Sequence, residues 1–302
     1  MLDLPDLTLV AVYTVAHELT EMAVADCTRH VRFGDVKLFT DRPLRSQGDA
    51  IQIEPFADLM QAGAFTTYEV PRYIKTSHVL FIHWDSWIID PSMWRPQFLD
   101  CDYIGAPWWY RDGLNVGNSG FCIRSKALID FLAAHPAEFP LASPEDHVLC
   151  RQYRPRLPQF KWADEALAHE FSVEWTRAAP DARSFGFHGM FNWPFVLTDA
   201  QIEARVMRAT GYVLGSQHCR EMGTILAARR NGRPRVTTRA IRFIRRRLIT
   251  QSPQNGTRRG SSANPDERRF HYARVLTVMR SLSLRCWCWG TCRPGSGGVR
   301  LG

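Results

Sequence analysis

The residues best suited to chemistry in this chain are three acids, one histidine and a loop of small polar residues. Asp85 follows the apolar run Val79–Ile82 in H-V-L-F-I-H-W-D-S-W-I-I-D-P, with Trp84 and Trp87 on either side. A run of that length reads as a buried strand. Asp85 then stands at its carboxyl end, where open α/β sheets bind ligands. A carboxylate there suits a metal or a ligand hydroxyl, and Asp90-Pro91 stops the strand by removing a ladder donor. Glu145 and Asp146 follow Ser143-Pro144 in a helix-start pattern, with Ser as cap, Pro in the first turn and acids favoured by the macrodipole. Taken alone, these two acids read as capping acids ahead of catalysts. His188 lies in F-G-F-H-G, and a histidine bracketed by glycine in an exposed turn is a better ligand candidate than a lone core histidine. The loop Gly113–Gly120 ends in G-N-S-G before the strand Phe121–Arg124. Gly117, Asn118 and Gly120 supply small residues or positive φ that let a ligand approach the backbone. An ordinary hairpin turn has the same composition, and from the loop alone both readings stand.

These residues need elements to hold them. Leu7–Tyr13 is a near-continuous apolar run, as expected of a buried parallel strand, and Thr14 closes it. A helix is predicted over His17–Val31, a strand over Val36–Phe39 ending at Thr40-Asp41, and a third strand at Ile51–Ile53. This β-α-β start predicts an α/β protein with a doubly wound sheet and ligands at its strand ends. No G-x-G-x-x-G or Walker glycine loop is present, which argues against a dehydrogenase or P-loop protein. Short helices are expected at Tyr68–Thr76 and Pro91–Leu99, and a brief strand or turn at Tyr103–Pro107. Ser125 opens a helix over Lys126–His135. Further helices are expected through Ser143–Tyr153, Ala163–Phe171 and Asp199–Leu214.

The chain has 302 residues and is 45% hydrophobic, enough for one large α/β domain with an appendage. Its net charge of +8 conceals two halves. Residues 1–200 carry 17 Lys+Arg against 26 Asp+Glu, whereas residues 201–302 carry 21 Arg against 4 acids. An acidic body is thus followed by an Arg-rich end. The expected division is a domain over 1–215, a basic amphipathic segment over 216–250 with a helix at Arg235–Ile249, and a low-complexity tail over 251–302 with a weak helix at Arg268–Leu282. Cys27, Cys101, Cys122, Cys150 and Cys219 sit singly in apolar or helical contexts, which predicts reduced buried thiols and a cytoplasmic protein. Cys286-x-Cys288-x3-Cys292 lacks a second half with zinc-ligand spacing. The acidic Met1–Asp6 has no basic stretch of a secretory signal, and no apolar run reaches the roughly 18 residues of a spanning helix.

The motifs W-D-S-W-I-I-D-P-S-M-W, F-L-D-C-D-Y-I-G-A-P-W, V-G-N-S-G-F-C-I-R-S, P-E-D-H-V-L-C and S-F-G-F-H-G occur in that order over about residues 7–195. As a set they resemble a poorly characterised bacterial family of glycosyltransferase-like proteins. The resemblance implies a GT-A-like (Rossmann-like) mixed sheet flanked by helices. It also implies sugar transfer from a nucleotide-sugar donor to a saccharide or lipid-linked acceptor, as in cell-surface polysaccharide synthesis. Where that fold carries a D-x-D motif for a divalent cation, this chain has one acid, Asp85, followed by Ser86 and Trp87. By resemblance, Asp85 and His188 would hold Mg²⁺ or Mn²⁺, and Asp146 or Glu145 would be the base. Asn118, Ser119 and Gly120 would line the sugar pocket beside Trp84 and Ser86, with Trp108 or Trp109 stacked on a pyranose face. Thr14 and Asp41 would meet the nucleoside. Arg124 would face a phosphate or pack against a helix end. A second reading keeps the fold as a nucleotide-sugar or saccharide-binding module without turnover. The Arg-rich end suits peripheral contact with an anionic membrane; it has few interleaved aromatics and no recognisable module for nucleic acid.

Overall fold

The computed structural model describes residues 1–43, 49–141, 144–174 and 183–229. Its centre is a six-stranded sheet in the order β3-β2-β1-β4-β7-β6, built from β1 (Leu2–Tyr13), β2 (Val31–Thr40), β3 (Asp49–Gln52), β4 (His78–Ile82), β6 (Tyr103–Ile104) and β7 (Phe121–Ser125). The first four strands run parallel. β7 is antiparallel to β4, and β6 is antiparallel to β7. The chain winds outward from β1 to β3, then returns to place β4 on the other side of β1. The switch point therefore lies between β1 and β4, and a ligand cleft is expected at their carboxyl ends.

Both faces of the sheet are covered, which is why its strands read as unbroken apolar runs. Successive side chains point to opposite faces. Leu9, Ala11, Leu80 and Ile82 pack with Leu19, Ala23 and Cys27 of α1 (His17–Thr28) on one face. Val10, Phe39, Val79 and Phe81 pack with Val70 and with Leu128 and Leu132 of α3 (Lys126–Ala134) on the other. Ser125 caps α3 by accepting from Leu128 N, as its position ahead of the helix predicts. All five cysteines among the described residues are buried and in no disulfide. No helix among the described residues is long and apolar enough to cross a membrane.

Several elements differ from the sequence expectation. The helix near residue 70 is α2, Leu59–Tyr68, capped by Asp58 accepting from Gln61 N; only a 3₁₀ turn, Val70–Tyr73, follows it. The helix expected over Pro91–Leu99 is two 3₁₀ turns, because Arg95 precedes Pro96 and is extended (φ −125°, ψ 128°). The Glu145 helix begins as α4 (Glu145–His147) and continues as a wider π turn over Val148–Tyr153. The segments α5 (Glu165–Phe171), α6 (Trp193–Val196), α7 (Asp199–Val206) and α8 (Gly211–Leu214) follow, so the helix expected over Asp199–Leu214 is two. A second sheet joins β5 (Trp87–Ile88), β9 (Gly186–Phe187) and β8 (Ser172–Val173). The last described helix is α9, Gln217–Arg229, whose Cys219, Met222 and Leu226 enter the same core as β1 and β4. The helix expected at Arg235–Ile249, the tail beyond 251, the cysteines from 286 onward and the cap Ser143 lie outside the described residues.

One buried ion pair fastens the last helices to the first. Arg205 of α7, 4% exposed, bonds Asp26 of α1, and its guanidinium lies 4.2 Å from the Trp87 ring centroid. Removing the acid leaves a buried cation uncompensated, whereas removing the cation leaves an acid with Arg29 2.9 Å away and water at hand. Asp26→Ala is expected to lower unfolding free energy by about 3–5 kcal/mol, and Arg205→Met by clearly less, measured by urea denaturation.

Candidate active site

The site grows from the pairing of β4 with β7. Ile82 lies opposite Phe121, so the end of β4 meets the loop that precedes β7. His83 N donates to Gly120 O at 2.9 Å, and Ser86 Oγ donates to the same carbonyl at 2.5 Å. Ser86 Oγ also accepts from His83 N at 2.9 Å and is fully buried, so this residue locks the turn that presents Asp85.

The small sheet brings the second half. Val173 pairs with Phe187, and His188 N donates to Val173 O at 3.0 Å, so Glu174 and His188 leave their strands side by side. His188 Nδ1 lies 2.9 Å from Glu174 Oε1, and its Nε2 lies 3.4 Å from Asp85 Oδ1. Asn192 Nδ2 donates to His188 O at 2.7 Å and to Glu174 O at 3.3 Å. Gly189 takes φ +97°, a left-handed value that glycine adopts without strain. That turn lets Gly189 N donate to Asp85 O at 3.1 Å and Met190 N donate to Asp85 Oδ2 at 3.1 Å.

The loop before β7 closes the cluster. Asn118 has φ +75°, its Oδ1 accepts from Phe121 N at 3.0 Å, and its amide nitrogen reaches the His188 ring edge, 2.8 Å from Nδ1. Gly120 is packed so closely on His188 that a Cβ would stand 2.2 Å from the ring. Ser119 N donates to Asp146 Oδ2 at 3.3 Å, tying the start of α4 to the same loop.

The charges follow from burial and pairing. Burial opposes ionisation of Asp85, but the His188 charge and the close contacts of His188 and His218 outweigh it, holding the carboxyl well below its usual range. Burial likewise opposes the His188 cation, yet Asp85 and Glu174 together raise that imidazole to about 10. His83 stands at the exposed rim, its ring centroid 5.6 Å from that of His188. Asp146 moves the other way: desolvation, then Glu145 and Glu174, push it up to about 6.

Of the expected site residues, Asp85, Ser86, Asn118, Ser119, Gly120, Asp146 and His188 form one hydrogen-bonded cluster. Glu145 stands apart from it. Its Oε1 is 2.7 Å from Arg124 Nη2, with the two side chains 9% and 1% exposed, and the Arg124 guanidinium lies 5.0 Å from the Phe81 ring centroid. Arg124 is therefore buried against a helix start, the second of the two placements open to it in the sequence. Trp108 is buried and donates from its indole nitrogen to Glu174 Oε2 at 3.3 Å, a wall of the cluster. Trp109 is half-buried beside Tyr110, with ring centroids 5.1 Å apart, and Trp84 sets its edge against Trp193. Thr14 and Asp41 sit at the ends of β1 and β2 with partners of their own: Thr14 Oγ1 accepts from Phe56 N at 3.3 Å, and Asp41 Oδ1 is 2.6 Å from His17 Nε2.

Three residues of the cluster go unnamed among the expected site residues. His83 stands two positions before Asp85, Glu174 closes F-S-V-E, and His218 lies 3.2 Å from Asp85 Oδ2. The ligand atoms of His83, Asp85 and His188 lie within 4.8 Å of one another. Asp85 Oδ1 is buried without a hydrogen-bond partner. His188 gives Nδ1 to Glu174 and leaves Nε2 on the Asp85 side, the arrangement in which an outer carboxylate orients a metal-ligating imidazole. The donor set fits a divalent cation. At the end of β4 the candidate donor beside Asp85 is the imidazole of His83.

The family described as "Protein of unknown function (DUF5672)" matches residues 54–188, which contain His83, Asp85, Asn118, Asp146, Glu174 and His188 but not Met190, Asn192 or His218. No curated protein sequence matches the chain. Among solved structures, the chain is similar to a glycosyltransferase involved in the glycosylation of the major capsid of PBCV-1, at 15% identity and a TM-score of 0.40, over 60% of this chain and 92% of that one. It is also similar to the glycosyltransferase GlyE of Streptococcus pneumoniae TIGR4, at 11% identity and a TM-score of 0.39, over 60% and 53% of the two chains. A third likeness is to S. aureus TarS 1-349, at 10% identity and a TM-score of 0.36, over 75% and 72%.

The neighbours Glu145 and Asp146 should separate cleanly in stability. The raised Asp146 disfavours its charged form in the fold, so its destabilising effect is absent below about pH 4, grows through about pH 6 and is complete at pH 7. Asp146→Asn is expected to stabilise the protein at pH 7 by about 1–3 kcal/mol, with the gain vanishing by about pH 4. Glu145→Gln strands the buried Arg124 cation and is expected to destabilise by about 3–5 kcal/mol. Urea titrations between pH 4 and 7.5 measure both.

Proposed function

We propose that this chain is a glycosyltransferase that moves a sugar from a nucleotide-sugar donor to a hydroxyl of a saccharide or lipid-linked acceptor. One observation carries the reading: a divalent-cation donor set at the end of β4 is joined, through the loop 118–120, to an acid held near neutrality, at the switch point of the sheet.

His83, Asp85 and His188 would hold the cation, His188 giving up its Nε2 proton as the cation takes that place. Two imidazoles beside one carboxylate suit Mn²⁺ better than Mg²⁺, which prefers an all-oxygen shell. When bound, the ion supplies charge neutralisation to the departing diphosphate. The chain's own residues do the rest. Thr14 and Asp41 bind the nucleoside side of the donor at the neighbouring strand ends. Asn118, Ser119 and Gly120 form the floor on which the sugar is oriented, and Trp109 offers its half-buried ring to an acceptor pyranose. Asp146 takes the proton of the acceptor hydroxyl as that oxygen bonds to the anomeric carbon and the bond to the diphosphate oxygen breaks. A carboxylate raised to about 6 is a stronger base than an ordinary one and is still mostly ionised at pH 7. Glu145 stays paired with Arg124 and anchors the helix start that carries Asp146. Arg-rich residues beyond 201 give the acidic body an end suited to anionic surfaces, where lipid-linked acceptors reside.

A donor that binds the native state raises the melting temperature by mass action. Thermal-shift screening against UDP-, GDP-, CMP- and dTDP-sugars should give a shift for one nucleotide that requires Mn²⁺ and is lost in Asp85→Ala. No shift with any donor would overturn the reading. With the donor known, kcat/KM should rise with pH about a midpoint near 6, because the ionised acid is the active form. Asp146→Asn should remove that limb and lower kcat by about 10²–10⁴-fold.

A further inference from the structure

Asp85 divides its two oxygens. Oδ2 accepts from Met190 N at 3.1 Å and stands 3.2 Å from His218 Nδ1, whereas Oδ1 is buried, lacks a hydrogen-bond partner and points toward His188. A carboxylate turns about its last side-chain bond, and its oxygens are equivalent until something holds one of them. The two groups on Oδ2 come from two separate elements, one from the turn after Gly189 and one from α9.

His218 is itself held. Ser216 Oγ accepts from Cys219 N at 3.1 Å and caps the start of α9. Cys219, Met222 and Leu226 bury one face of the helix in the core, and α9 packs along the turn Met190–Asn192. The His218 ring stands perpendicular to Phe191 at 5.1 Å, and its side chain is 27% exposed, so its position comes from packing on known neighbours. The amino end of the helix also brings a positive dipole toward the buried carboxylate.

We propose that His218 is the positioning residue of the cation site: its Nδ1–H holds Asp85 Oδ2, so that Oδ1 is the oxygen presented to the cation between His83 and His188. The proposal rests on the cation reading above. It places a residue from outside the stretch 54–188 in the working site. It also moves the functional boundary of the domain past residue 215, into the helix that leads to the Arg-rich end. An outer residue of this kind typically contributes 10–100-fold to metal affinity.

The test is Mn²⁺ binding to the full chain, read by titration calorimetry and by the loss of the free-ion EPR signal. His218→Ala should weaken Mn²⁺ about 10–100-fold, and His218→Asn, whose amide nitrogen can stand where Nδ1 stood, should restore most of it. Unchanged affinity in His218→Ala, with wild type binding, overturns the proposal and leaves the cation site intact. Failure of wild type to bind Mn²⁺ overturns the cation reading and the proposal with it. Because the alanine variant can lose fold, the wild type gives an independent check. Its ¹⁵N-histidine spectrum, assigned by the signal missing in His218→Asn, should show His218 protonated at Nδ1. A neutral ring protonated only at Nε2 overturns the proposal.

Discussion

A buried carboxylate that must stay ionised is the constraint from which this site follows. Asp85 is 1% exposed, and an unpartnered charge in such a place is prohibitively unfavourable. The fold surrounds it with the donors that make the charge tolerable. Met190 N–H needs the Gly189 turn, His188 needs the pairing of β8 with β9, and His218 needs α9. The small sheet, the turn after it and the last described helix all close on a single side chain at the end of β4. Their common role explains why the core continues beyond the six-stranded sheet, into segments with little internal apolar periodicity.

The same logic separates two adjacent acids. Glu145 meets Arg124 and becomes half of a buried ion pair, while Asp146 has only backbone N–H groups and sits in the field of Glu145 and Glu174. One side chain anchors the helix start; the other carries the energetic penalty of that placement. Two neighbours in sequence thus meet opposite surroundings, a fixed cation for Glu145 and further negative charge for Asp146. The division is invisible in the dipeptide, where both residues are simply acids at a helix start.

What the sequence made legible was local. Apolar runs named β1, β2, β4 and β7, the β-α-β start named the sheet class, and Asp85 could be placed because a strand and a Pro-terminated turn bracket it. His188 stood out by its glycines. Residues assembled by two-residue strands were not legible: β5, β8 and β9 are too short for a period to register, so Glu174 could not be set beside His188 from F-S-V-E alone. His83 was hidden because it follows the last residue of β4 and is brought beside Asp85 by the turn over 83–86, which the sequence does not announce. Arg124, fourth in a strand of apolar residues, was ambiguous because burial and ligand contact call for the same residue type until a partner is known. His218 gave no signal, since its partner lies 133 positions away.

The glycines of G-N-S-G and F-G-F-H-G are then two halves of one geometric requirement. Gly120 lacks a Cβ because the His188 ring occupies that space, and Gly189 turns left-handed so that its own N–H and that of Met190 reach Asp85. Neither demand can be met by a larger residue without moving the imidazole or releasing the carboxylate. The histidine between them is thus located by backbone on both sides: Val173 O fixes its own N–H, Asn192 fixes its carbonyl, and Gly120 admits its ring. A side chain held this tightly has little freedom to follow a ligand. The less constrained side chains lie at the rim, where Trp109 is half-buried and His83 is exposed.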